Sequence, residues 1–162
     1  LVMMKFLISL IFLIGAFSIT HAKNSVPEPS DFPVKSVYKG AAAKLDTSDP
    51  DARMFRTRLS EALKRKPDFA GEYVTVMWGC GTSCRIYSFV NKRTGKLLKD
   101  GFGGEERQED VIFTDPLSRL IVNQEEIKNE DYEVESLTLR MYVLENQRLK
   151  LIKTVKNVAP QE

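Results

Sequence analysis

The spacing of apolar residues changes period at Pro67, and that change limits the folds open to this chain. Before it, Ala52, Phe55, Leu59, Ala62 and Leu63 recur at helical spacing and mark one apolar stripe. The run 48–51 opens that helix. Ser48 or Asp49 caps it, Pro50 suits its first turn, and Asp51 opposes the helix dipole. Pro67 ends it, because proline has no amide to donate. After Pro67 the residues at 72–78, 85–91, 96–99, 111–113, 119–123, 133–144 and 149–155 read as strands. Leu137, Leu139, Met141 and Val143 alternate cleanly onto one face. Turn signals at 92–95, 101–104, 115–116 and 145–147 separate the strands. Connections this short favour antiparallel neighbours. The expectation is an α+β domain over 48–158: one main helix packed on an antiparallel, largely meandering sheet of about six to seven strands.

The N-terminus reads differently. Lys5 precedes an apolar run from Phe6 to Phe17, and small Thr20 and Ala22 follow. That is the three-part pattern of a secretory signal peptide over 1–22. The run is too short to span a bilayer, which takes about 20 apolar residues. Residues 23–47, with Pro27, Pro29 and Pro33, read as an extended arm and linker, and 159–162 as a tail. The expected location is periplasmic or secreted, with no membrane attachment after cleavage.

Cleavage changes the chemistry left to the chain. Of 162 residues only His21 is a histidine, and it lies in the leader. Without it, Ser-His-Asp and Cys-His catalysis have no base, and histidine-containing zinc sites cannot assemble. Removing Lys5 leaves 23 basic residues against 22 acidic, too even a balance for a dedicated nucleic-acid binder. No catalytic residue, metal or cofactor is assigned, and the expected partner is a protein of the cell envelope.

One constellation stands out. Phe69, Ala70, Gly71 and Tyr73 lead through a strand to Trp78, Gly79, Cys80, Gly81, Thr82, Ser83 and Cys84, with Arg85 next. In an exported chain the natural state of Cys80 and Cys84 is a disulfide. Three uses are open. The pair staples a hairpin; or it pre-organises a recognition tip of Trp78, Gly79, Gly81, Thr82, Ser83 and Arg85, with Trp78 as anchor; or it serves redox or copper(I) chemistry. The motif resembles that of a family of small exported bacterial proteins of uncharacterised activity. The order of helix, strand, cysteine loop and strand is more distantly similar to that of periplasmic inhibitors of vertebrate-type lysozyme. There the cysteine-closed loop enters the enzyme's cleft. That family's loop is one residue longer and carries His and Asp, whereas Gly81, Thr82 and Ser83 bear no charge.

Weaker signals remain. Gly101, Gly103 and Gly104 do not complete a dinucleotide fingerprint. Glu105, Glu106, Glu109 and Asp110 lack the ligand spacing of a calcium loop. An acidic stretch over 125–135 suits a basic partner. A hydrolase using paired carboxylates, Glu72 with Glu105 or Glu106, is the enzymatic alternative.

Overall fold

The computed structural model describes residues 25–160; the expected leader lies outside the described residues. No helix among them is long and apolar enough to cross a membrane.

The helical segment forms where the sequence places it, but as two pieces, α1 (Pro50–Met54) and α2 (Arg56–Leu63). Asp49 caps the first, accepting the amides of Asp51 at 2.9 Å and Ala52 at 3.4 Å. Phe55 separates the two with φ −102° and ψ 22°, outside helical values. Its ring tilts onto Trp78, centroid to centroid 4.5 Å, and this contact accompanies the break. The expectation of one main helix is corrected accordingly.

Seven strands follow: β1 (Tyr73–Gly81), β2 (Cys84–Asn91), β3 (Phe102–Gly103), β4 (Glu109–Phe113), β5 (Leu120–Lys128), β6 (Val134–Glu145) and β7 (Arg148–Val158). Each pairs antiparallel with its sequence neighbour, except that the ladder breaks between β3 and β4. The expected single sheet is therefore two, β1-β2-β3 and β4-β5-β6-β7. The segment 96–99, expected as a strand, makes only an isolated bridge from Leu97 to Val90.

Alternation builds layers from these strands. Val74, Val76 and Trp78 on β1, with Val90 on β2, face Ala52, Leu59, Ala62 and Leu63 of the helices. Tyr73, Tyr87 and Phe89 face the other way, into Phe69, Phe102, and Ile121 and Leu144 of the second sheet. Leu120, Val122, Met141 and Val143 form the outer face of the second sheet, where Phe32 and Phe113 cover them. Fully burying one such side chain contributes roughly 1.5–3 kcal/mol.

The N-terminal arm is tied along this body. Val34 donates to the Leu117 carbonyl, Arg119 to that of Phe32, Tyr38 to that of Gly71 and Ala43 to that of Lys92. The free edge of β1 is closed at Tyr73 by Phe69, and at Thr75 by the Asp68 carboxylate and the Arg65 guanidinium. The free edge of β7 carries Arg148, Lys150, Lys153 and Lys156, charges that discourage pairing with another chain.

Candidate functional site

The strand directions gather three loops at one end. β1 and β2 meet there in the turn at Thr82 and Ser83. β3 runs toward the same end, since Gly103 pairs with Ile86 and Phe102 with Tyr87. β4 begins there, and Glu109 pairs with Glu125 near the end of β5. The β5–β6 turn therefore lies beyond Glu109 at this end. Among these loops Glu105, Glu106, Glu130, Asp131 and Glu133 are exposed, and Tyr132 is 85% exposed. The end is a disulfide tip flanked by Arg85, with exposed Arg107 and a larger number of carboxylates in the loops around it.

The tip is stiff and clear of the body. Cys80 and Cys84 are bonded, with Cα atoms 5.1 Å apart. Gly81 sits at φ +140°, and a side chain added to it would meet nothing within 4 Å. Ser83 holds φ +58°, an uncommon value for a residue with a Cβ. Gly79, Gly81, Thr82, Ser83 and Arg85 are all exposed, while Cys84 is buried.

Trp78 departs from expectation. It is 6% exposed and packed on Phe55 in the helix-side core, so it is not displayed to a partner. Even-numbered residues of β1 face the helices, and position 78 falls on that side. One edge of the indole borders a cleft of about 290 Å³ with Phe55, Ser88, Leu98 and Asp100.

Arg85 does not reach freely into solvent. Its guanidinium meets Asp110 at 2.6 Å, and the Tyr87 hydroxyl donates to the same carboxylate oxygen at 2.9 Å. Asp110 thus joins the two sheets where their ladder breaks. Burial raises the Tyr87 hydroxyl pKa above its usual value, and the bond to Asp110 adds to that.

Behind the tip lies a polar group that sequence reasoning missed. Glu109 and Glu125 stand opposite each other on neighbouring strands, where like charges repel. Arg140 bridges them, reaching Glu109 at 3.3 Å and Glu125 at 2.6 Å. The Glu109 side chain is 3% exposed, and its Oε2 has no partner within the protein. Asn123 pairs with Arg140 across the ladder, is wholly buried, and leaves both amide atoms without a protein partner. Tyr142 borders the group; burial, and then the Glu109 charge, raise its pKa. Cross-strand complementarity of Glu109, Glu125 and Arg140 is the available signal, but it is visible only once register is known.

The carboxylate pairing expected for an enzyme is not assembled. Glu72 lies at the opposite end of the β1–β2 hairpin, held by Arg93 at 2.6 Å and Asn91 at 3.2 Å. Counted along the strands, Glu105 and Glu106 are about 20 Å away. Among the described residues, no three His, Cys, Asp or Glu side chains gather as metal ligands.

Comparison with protein-family models, with curated proteins and with solved structures gives no match for this chain.

Proposed function

We propose that this chain is an exported, non-enzymatic binding protein of the cell envelope, of inhibitor or immunity type. It presents the disulfide-closed tip at Gly79, Gly81, Thr82, Ser83 and Arg85 to a protein partner. The carrying observation is the tip itself: covalently closed, exposed along its turn, and set at the end where two further loops converge. A loop fixed before binding loses less entropy on docking, so closing it favours recognition more than folding. The acidic loops beside it suit a basic partner. Signal cleavage and a periplasmic or secreted location belong to the same reading.

The test uses the protein as bait on the cell-envelope fraction, wild type against the Cys80→Ser, Cys84→Ser double variant. The reading expects proteins retained by the wild type and lost by the variant. An identical retained set for both would overturn it.

A further inference from the structure

At the end of the β1–β2 hairpin opposite the tip, where Tyr73 pairs with Asn91, the chain walls a cavity. It holds about 460 Å³ and is bordered by Val37, Tyr38, Lys39, Lys66, Pro67 and Lys92. That is room for a small organic molecule. The walls are held in place from behind. The Tyr38 amide donates to the Gly71 carbonyl at 2.7 Å, and its hydroxyl to the Ala41 carbonyl at 2.9 Å. The Arg93 guanidinium lies 4.4 Å from the centre of the Tyr38 ring. The Lys92 carbonyl accepts from Ala43 at 3.0 Å, and the Lys92 ammonium donates to the Arg65 carbonyl at 2.5 Å.

The charge in these walls is mostly positive. The segments 37–40, 64–68 and 92–93 carry Lys39, Lys64, Arg65, Lys66, Lys92 and Arg93 against the carboxylate of Asp68. Asp68 is turned to β1, where it accepts the Thr75 amide and hydroxyl, each at 2.8 Å. Glu61 and Glu72, just beyond, are held by Lys64 and Arg93, each at 2.6 Å. Among the described residues, Lys39, Lys66 and Lys92 join no ion pair. The end of α2 accounts for cations at 64–66, since its dipole favours them there. Lys39 and Lys92 come from the arm and from the turn after β2, and the helix end does not explain them.

We infer that this cavity binds a small phosphate ester. The phosphate meets Lys39, Lys66 and Lys92, and the organic body lies on Val37, Tyr38 and Pro67. Three ammonium groups from separate segments suit a dianion with three acceptor oxygens, whereas planar carboxylate recognition favours the arginine fork. The apolar walls make an ester a better ligand than bare phosphate, because its body leaves water on binding. The inference does not rest on the tip being a contact, since the cavity lies at the other end of the hairpin.

The test is isothermal titration calorimetry at low salt, with phenyl phosphate, inorganic phosphate and phenol as probes. Phenyl phosphate should bind at least about tenfold more tightly than either of the others and weaken as salt is added. The Lys39→Gln, Lys66→Gln double variant should weaken it about tenfold. Both side chains are exposed, so the unfolding temperature should stay in place. Lys128→Gln with Lys156→Gln makes the same change of charge on the second sheet and should leave the affinity unchanged. Vesicles of phosphatidylcholine with and without phosphatidic acid then distinguish the source of the ester. Retention on the acidic vesicles, released by phenyl phosphate, assigns a lipid headgroup; no retention assigns a soluble ester; either upholds the inference. No binding of phenyl phosphate would overturn it, as would equal affinity for inorganic phosphate (an adventitious ion only) or for phenol. So would wild-type affinity in the cavity variant, or an equal loss in the two double variants.

Discussion

Replacing Trp78 with alanine separates the structural role of this side chain from the anchor role its neighbourhood suggests. The indole is 6% exposed and its ring centroid lies 4.5 Å from that of Phe55. A buried tryptophan removes about 200 Å² from water, which at about 25 cal/mol per Å² is about 5 kcal/mol. Alanine keeps a small part of this, and the surrounding core closes only partly over the gap, so the expected loss is about 3–5 kcal/mol. Against a total of about 5–15 kcal/mol, that is a large fraction. The assay is urea unfolding followed by far-ultraviolet circular dichroism, since the variant lacks the chain's one tryptophan. If alanine leaves too little folded protein to measure, Trp78→Phe retains most of the packing and should lose less. A loss below about 1 kcal/mol in Trp78→Ala would place the side chain outside the core and refute the reasoning.

Further outcomes follow from the same structure. The Cys80→Ser, Cys84→Ser variant should stay folded and lose about 2 kcal/mol in urea unfolding, because the closed ring is short; a loss above about 4 kcal/mol would make the bond a foundation of the fold. Gly103→Ala should cost more than about 1 kcal/mol, since Gly103 has φ +85° and a Cβ would collide with the Arg85 carbonyl; an unchanged melting temperature would contradict this. Burial raises the hydroxyl pKa values of Tyr73, Tyr87 and Tyr142 in the folded state. That stabilisation is therefore fully present below the unfolded tyrosine value of about 10 and is lost as pH rises past it. Denaturation midpoints that stay flat from about pH 9 to 11 would count against it.

Much of the fold is legible in the sequence where local chemistry decides. Asp49 and Pro50 mark the helix start because capping is local, and Leu137 to Val143 declare a strand by simple alternation. The break at Phe55 is not legible: nothing near it is a helix breaker, and its off-helix backbone goes with a contact to Trp78, which is distant in sequence. The facing of Trp78 is hidden for a related reason. Both faces of β1 are buried in part, so alternation between Val76, Met77 and Trp78 does not say which is core. The split into two sheets turns on whether β3 pairs with β4, and β3 has only Phe102 and Gly103 to pair with. In the site, Cys80 and Cys84 are read from spacing. Glu109, Asn123 and Arg140 come together only through the register of β4, β5 and β6.

The central claim is that the disulfide-closed tip touches a partner, and site-specific photo-crosslinking tests it most directly. A photoreactive side chain placed at Thr82 is compared in living cells with one at Met54, which is 72% exposed on α1 and on the helical layer. The account predicts a discrete adduct from Thr82, absent from Met54 and lost when Cys80 and Cys84 are both serine. No adduct from Thr82, or the same adduct from both positions, would contradict it.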